Sequence, residues 1–180
     1  MDAAALRQTF ARVDDALTAP TELLIRGGAA LLALGFEGRT TVDIDVLPGS
    51  RFVELDLRHA CAVAGLAWNP PDKDFPPGDY LELVPAQTLV LPVPTAEYDI
   101  TFRGRMLVVR TPPPADLAVS KLKRLEPEDL SDIHFLVARF GIGETDLREA
   151  FQRLPDRFRN DGVLIDNLRY VIEDLWGQGP

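Results

Sequence analysis

Two aspartates separated by one residue follow a glycine pair early in the chain, and these residues have the clearest potential for chemistry. Asp43 and Asp45 lie in the run Val42-Asp43-Ile44-Asp45-Val46. Because side chains alternate along a β-strand, a strand here would place both carboxylates on one face, roughly 7 Å apart. Carboxylate oxygens are ligands for hard divalent cations. The spacing therefore predicts a site for Mg²⁺, with Mn²⁺ as a possible substitute.

The glycine pair supplies a second element of the same site. Gly27 and Gly28 end the run Leu24-Ile25-Arg26. Without Cβ atoms they let a phosphate approach the backbone, and a helix that starts near Ala29 would add free N–H groups. Taken singly, a glycine pair is commonly a tight turn and alternating aspartates a solvated strand face. Their order and proximity favour a joint site for a cation and a triphosphate.

The arrangement resembles the DNA polymerase β-like nucleotidyltransferases, whose signature is an apolar residue, Gly, Gly or Ser, a spacer, and then Asp, apolar, Asp or Glu. Within that superfamily the block is most similar to the type IV toxins of abortive-infection toxin–antitoxin systems and to their uncharacterised relatives. Those proteins show Gly-Gly-Thr-Ala and then Gly-x-Arg-x-Ser-x-Asp-x-Asp. Here Ala29 replaces the Thr and Thr41 replaces the Ser. The resemblance implies that Arg39 and Thr41 help the glycines to bind the nucleotide.

A second block, over residues 114–133, resembles the family pattern Asp-Leu-x-x-x-Lys-Leu-x-x-x-Arg followed by Lys-Asp-x-x-Asp-Ile. Lys121 matches the lysine, Asp129 and Asp132 match the acidic pair, and Arg124 matches the arginine only with a shift of one place. The resemblance implies that Lys121 contacts the triphosphate. Asp129 and Asp132, three residues apart on one helical face, would orient Lys121 or Arg124. The alternative is a salt-bridge network between two helices.

Phosphoryl transfer with two metal ions usually needs a third carboxylate, which binds a metal or orients the attacking hydroxyl. Glu82 and Asp99 are the two candidates, because each alternates with apolar residues in a strand-like run. In the resembling proteins the third acid lies on the strand after the helix and loop that follow Asp-x-Asp. This favours Glu82 as the third metal ligand and catalytic residue, with Asp99, or neither, left open.

Composition limits the classes of function. With 180 residues, 46% of them apolar, the chain has enough length for one domain with a real core. A net charge of −9 argues against broad, sequence-independent binding to nucleic acid, although a local basic groove is compatible with it. Neither a run of about twenty apolar residues nor a secretory signal is found, so we expect a cytoplasmic protein without a membrane partner. The single cysteine, Cys61, is expected to be a buried apolar residue.

Residue periodicity predicts an α/β (α+β) fold, and the resemblance implies a polymerase β-like mixed sheet flanked by helices. We expect residues 1–112 to form this core and residues 113–180 a helical subdomain packed on it as one compact unit. A loop over 66–79 would be either a lid or a plain surface excursion. The predicted helices are 3–17, 28–34, 51–64 with Ser50 as N-cap, 116–125, 127–140, 145–154 and 162–176, and the predicted strands are 22–26, 41–47, 80–84, 97–102 and 105–110.

The function implied is a Mg²⁺-dependent nucleotidyltransferase, which moves a nucleoside monophosphate from a nucleoside triphosphate to an acceptor hydroxyl. In a toxin-like protein the acceptor would be a tRNA 3′ end or a protein, and an antitoxin protein would be a partner. Two alternatives remain open. One is a catalytically silent module that binds a nucleotide or a partner, and the other is an enzyme that modifies a small molecule such as a cationic antibiotic.

Overall fold

The computed structural model of the chain describes residues 1–71 and 78–177 and divides them into two compact units. The first unit comprises the described residues of Met1–Leu89 and Tyr98–Pro112. The second comprises those of Val90–Glu97 and Pro113–Pro180. The chain therefore crosses between the units three times, and Val90–Glu97 belongs to the second unit although the division at residue 112 assigned it to the core. The mixed α/β class predicted from periodicity is confirmed.

The first unit is built on a mixed sheet. Within the described residues it has six strands: β1 (Thr21–Arg26), β2 (Asp43–Val46), β3 (Ala67–Trp68), β4 (Tyr80–Leu83), β5 (Asp99–Arg103) and β6 (Leu107–Thr111). Their order across the sheet is β3-β4-β2-β1-β6-β5. Strand β1 pairs antiparallel with β2 and parallel with β6, β4 pairs parallel with both β2 and β3, and β5 pairs antiparallel with β6.

Among the described residues of this unit, three helices accompany the sheet: α1 (Ala3–Ala16), α2 (Gly27–Ala33) and α3 (Glu54–Ala64). Asp2 caps α1 by accepting a hydrogen bond from the Ala5 backbone N–H, and the helix buries Leu6, Phe10 and Val13 at helical spacing. Helix α1 packs on α2 and α3, and α2 packs on β1 and β2. The apolar residues of these helices and the sheet form the core of the first unit.

The two faces of the sheet differ in chemistry. Burial alternates along β1, where Thr21, Leu23 and Ile25 are buried while Glu22, Leu24 and Arg26 are partly exposed. Strand β2 continues the alternation, with its two aspartates partly exposed and Ile44 and Val46 buried. Since residues paired across neighbouring strands share a face, the register of β1 and β2 joins the buried positions into one face and the partly exposed positions, which include both aspartates, into the other.

The second unit is helical. Its described helices are α4 (Pro114–Ser120), α5 (Pro127–Phe140), α6 (Glu144–Gln152), α7 (Asp156–Arg159) and α8 (Gly162–Trp176). Helix α4 packs against α5 and α6, and α7 packs against α8. Helix α5 begins with a capping box between Glu126 and Asp129 and ends at Gly141, whose φ of 65° lies in the left-handed region.

Two local predictions are wrong. Ser50 does not cap α3, since Val53 is the N-cap; the Ser50 hydroxyl instead accepts from the Leu24 N–H and donates to the Leu47 carbonyl. The loop predicted over 66–79 contains strand β3, which pairs with β4. The central part of that loop, residues 72–77, lies outside the described residues.

Two further observations concern the single cysteine and the apolar content of the helices. Cys61 is fully buried, as predicted, and burial raises the pKa of its thiol to about 12. Within the described part of the chain no helix combines the length and the apolar composition needed to cross a bilayer.

A buried carboxylate ties α1 to the hairpin between β5 and β6. Asp14 accepts hydrogen bonds from the backbone N–H groups of Arg105, Met106 and Leu107, at 2.8, 2.7 and 2.6 Å. A Cβ atom on Gly104 would lie 2.3 Å from the carboxylate carbon of Asp14, so glycine is required there. Burial alone would raise the pKa of Asp14, but the three N–H donors outweigh it and hold the pKa below the usual value.

Replacing Asp14 with Asn should destabilise the protein by about 2–4 kcal/mol, because a neutral amide leaves buried N–H groups poorly satisfied. The folded-state pKa is lowered, so this stabilisation is complete above the unfolded pKa of about 3.9 and is lost as the pH falls through the folded pKa. Urea unfolding of both proteins between pH 7 and pH 2.5 measures the difference. Asp15→Asn is the control, because Asp15 is exposed and its replacement should change stability little. An equal loss of stability in both variants would contradict the role of Asp14 in holding the hairpin to α1.

Candidate functional site

Strand register brings the three predicted metal ligands to one face of the sheet. Asp43 and Asp45 lie two residues apart on β2, and the parallel neighbour β4 places Glu82 directly beside Asp45. Residues paired in this way project to the same side. All three carboxylates therefore share the polar face, while the Ile44–Leu81 pair lies on the opposite, apolar face.

Asp99 is placed elsewhere. It lies on β5, at the far edge of the sheet, with β1 and β6 between it and β2. It pairs with Thr111, whose side chain is buried, whereas its neighbour Ile100 pairs with Arg110 on the polar side. Asp99 is therefore separated from the two aspartates of β2 both by strand position and by face. Of the two candidates for a third carboxylate, only Glu82 is adjacent to the pair.

The glycine pair lies against the same carboxylates. Gly27 has a φ of 67°, and a Cβ atom there would be 2.8 Å from Oδ2 of Asp45. A Cβ atom on Gly28 would be 2.7 Å from Oγ1 of Thr41 and 3.2 Å from a terminal nitrogen of Arg39. The absence of side chains at these two positions is thus what allows Asp45, Thr41 and Arg39 to converge. The glycine pair, Arg39, Thr41 and the two aspartates of the first block therefore lie close together.

Asp43 and Asp45 both contact protein groups. Asp43 accepts a hydrogen bond from the hydroxyl of Thr41, which is consistent with retention of a hydroxyl at that position. Oδ2 of Asp45 lies 3.5 Å from Nε of Arg26, the residue directly opposite on β1. Sequence patterns gave no role to Arg26, because the contact depends on the antiparallel register of β1 and β2. The sequence showed only that Arg26 is a basic residue directly before the glycine pair.

The three acids create a common negative potential on the polar face. Tyr80 lies opposite Asp43 on β4 and shares the face with Glu82, and its side chain is buried. Burial is the main cause that raises the pKa of the Tyr80 phenol, and the charges of Asp43, Glu82 and Asp45 raise it further. The three carboxylates therefore lie near enough to the Tyr80 hydroxyl for their charges to act on it.

The donor set suits a hard divalent cation. All three candidate ligands are carboxylates, and the lack of a side chain at Gly27 lets Oδ2 of Asp45 approach the backbone turn after β1. Among residues 1–71 and 78–177, however, no group of three or more His, Cys, Asp or Glu side chains forms a ready-made metal site. The contacts of Asp43 with Thr41 and of Asp45 with Arg26 explain this in part. Cation binding would require the carboxylates to reorient toward one another.

The second predicted block forms an ion-pair cluster inside the second unit. Nζ of Lys121 lies 2.6 Å from Asp132 and 3.5 Å from Asp129. Arg124 donates two hydrogen bonds to the carboxylate of Asp129, at 2.9 and 3.2 Å. Burial would raise the pKa of Asp129, but the hydrogen bonds from Arg124 and the charge of Lys121 keep it below its usual value.

The burial of this cluster bears on its role. The carboxylates of Asp129 and Asp132 are 3% and 1% exposed, and the side chain of Lys121 is 11% exposed. Arg124 also lies 3.7 Å from the exposed carboxylate of Glu126. Lys121 is therefore held by two buried acids, and loss of its charge would leave them without their cation at the junction of α4 and α5, whether or not Lys121 also contacts a nucleotide.

Comparison of the chain with protein-family models, with curated proteins and with solved structures gave no match.

Replacing Gly28 with Ala should destabilise the protein by about 1–3 kcal/mol, because the added methyl group overlaps the side chain of Thr41. It should also disturb the Thr41–Asp43 hydrogen bond. Gly162, at the start of α8, faces open space, so Gly162→Ala should be neutral or slightly stabilising. Urea unfolding of both variants tests the contact, and equal stabilities would argue against a close approach of Gly28 to Thr41.

Replacing Lys121 with Met should cost about 3–5 kcal/mol, because Asp132 would remain buried without its cation. The double variant Lys121→Met/Asp132→Leu should recover most of this loss, since both buried charges are then removed. Lys123→Met, at an exposed neighbouring lysine, serves as the control. Chemical denaturation measures all four proteins. If Lys121→Met unfolds like the wild type yet weakens triphosphate binding, Lys121 has a binding role rather than a structural one.

Proposed function

We propose that the chain is a Mg²⁺-dependent nucleotidyltransferase that moves a nucleoside monophosphate from a nucleoside triphosphate to an acceptor hydroxyl. The observation that carries the proposal is the register of β1, β2 and β4. It sets Asp43, Asp45 and Glu82 on one sheet face, beside Gly27 and the backbone turn that follows β1. Three acids next to a glycine turn are suited to bind a cation and a polyphosphate together.

Each residue has a defined task in this proposal. Asp43, Asp45 and Glu82 hold Mg²⁺, which when bound would neutralise charge on the phosphates and on the leaving pyrophosphate. Gly27 and Gly28 let the triphosphate approach the backbone. Glu82 lies on β4 beside Asp45, and it would also orient the acceptor hydroxyl. Arg39 and Thr41, which lie against Gly28, would contact the phosphates.

The acceptor is proposed from the resemblance alone. In a toxin-like protein of a toxin–antitoxin pair it would be a tRNA 3′ end or a protein hydroxyl, and an antitoxin protein would be the partner. The net charge of −9 gives some support to a cationic small molecule instead, such as an antibiotic. We place the reaction in the cytoplasm, where nucleoside triphosphates and Mg²⁺ are abundant.

A catalytically silent module of the same fold is the second candidate, and one observation favours it. Asp45, a required metal ligand, faces the guanidinium of Arg26, and the described residues contain no preformed group of three metal-binding side chains. A module of this kind would keep the nucleotide pocket and act through a partner. Binding without transfer would then be its property.

Calorimetric titration of the wild-type protein with each ribonucleoside triphosphate and Mg²⁺ tests the proposal. We expect one triphosphate to bind and Asp43→Asn/Asp45→Asn to bind it at least about tenfold more weakly, a loss of about 1.4 kcal/mol. Asp99→Asn is the matched control and should bind like the wild type, because Asp99 lies on another strand and face.

The variant Glu82→Gln separates the two candidates. For the enzyme, transfer should fall by about two orders of magnitude or more while the fold is kept. Retained triphosphate binding with no transfer in the wild type would favour the silent module. Absence of binding to all four triphosphates would refute both.

A further inference from the structure

Arg26 is the one basic residue that directly faces the proposed metal ligands from a neighbouring strand of the described sheet. Its register partner on β2 is Asp45, and Nε lies 3.5 Å from Oδ2 of that residue. This nitrogen is buried and makes no hydrogen bond within the described residues. The contact of Nε with Asp45 is therefore a charge attraction without a hydrogen bond. A partly exposed ion pair of this kind is weaker than a buried, hydrogen-bonded one and is more easily exchanged for another partner.

The position of Arg26 in the chain adds a second constraint. It is the last residue of β1 and the residue before Gly27, where the lack of a side chain lets the same Oδ2 atom approach the backbone. Oδ2 of Asp45 thus lies close both to the Arg26 guanidinium and to the glycine turn. Any phosphate held at the glycine turn would lie within reach of the Arg26 side chain, which is 24% exposed.

The two proposed ligands, a divalent cation and a triphosphate, carry opposite charges and would therefore affect Arg26 in opposite ways. A divalent cation on Asp45 and the guanidinium compete for the same carboxylate, and they repel each other in a partly buried site. A triphosphate has the opposite effect, because a guanidinium binds phosphate oxygens through two parallel hydrogen bonds. The cation alone should therefore be disfavoured by Arg26, whereas the cation together with a polyphosphate should be favoured.

We propose that Arg26 is a positioning residue that couples the binding of metal and triphosphate: it neutralises Asp45 in the metal-free chain and transfers to the phosphates when both ligands enter. The inference rests on the proposed function. It explains why the acids share a face without forming a ready-made metal site. It also makes the site selective for a metal–triphosphate complex over the free metal ion.

Titration calorimetry with Mn²⁺ alone, and with inorganic triphosphate in the presence of saturating Mn²⁺, tests the coupling. We expect Arg26→Gln to bind Mn²⁺ alone at least about tenfold more tightly than the wild type and triphosphate at least about tenfold more weakly. Arg7→Gln makes the same change of charge at an exposed position of α1 and should alter neither affinity. Unchanged or weaker Mn²⁺ binding by Arg26→Gln would overturn the inference.

The conservative variant Arg26→Lys covers the case in which Arg26→Gln does not fold. It keeps the charge but loses the planar fork, so it should bind Mn²⁺ alone as the wild type does and triphosphate more weakly. Equal triphosphate affinity in Arg26→Lys and the wild type would overturn the transfer to phosphate. Failure of this inference differs from failure of the proposed function. In the first case the wild type still binds a nucleotide with Mg²⁺ through Asp43 and Asp45, and in the second it binds none.

Discussion

The pairing of β2 between β1 and β4 is the constraint on which the candidate site depends. This pairing places Arg26, Asp45 and Glu82 in one row across three strands. A shift of β2 by one residue would turn both aspartates into the core and expose Ile44 and Val46, which are almost completely buried. The burial of these apolar side chains therefore fixes the orientation of the carboxylates. Core packing and site geometry are two consequences of one register.

The glycine turn joins this register to helix α2. Gly27 has a positive φ, and a side chain there would meet Asp45, so both the backbone conformation and the contact exclude larger residues. The next residue, Gly28, lies against Thr41, whose hydroxyl in turn holds Asp43. The turn thus contacts both aspartates, one directly and one through Thr41. The same small residues that connect strand to helix also set the shape of the space beside the acids.

Sequence reasoning reached the local features of the site and missed those that depend on pairing. Alternation along β2 was sufficient to predict that Asp43 and Asp45 share a face, because that property belongs to a single strand. The choice of Glu82 over Asp99 came from a resemblance and stays a prediction; the sheet shows only that Glu82 lies beside Asp45 whereas Asp99 lies on a distant strand. The contact of Arg26 with Asp45 and the hydrogen bonds of Asp14 to the β5–β6 hairpin were not predicted. Each joins two elements that are distant in sequence, and the periodicity of residues does not show which elements lie side by side. Residues 90–97 were assigned to the core for the same reason, because composition does not show which unit a connecting segment joins.

Burial distinguishes the proposed metal ligands from the acids whose ion pairs lie inside the helical unit. Asp116, Asp129 and Asp132 in the second unit are almost fully buried, and each faces an Arg or Lys that compensates its charge. A buried carboxylate without such a partner would be strongly unfavourable, so the folded state needs these cations to stay beside the acids. The acids of β2 and β4 are partly exposed, and water can support their charge when protein partners leave. Exchange of a guanidinium for a metal ion is therefore possible on the sheet face, whereas in the helical unit the same exchange would first have to break a buried ion pair.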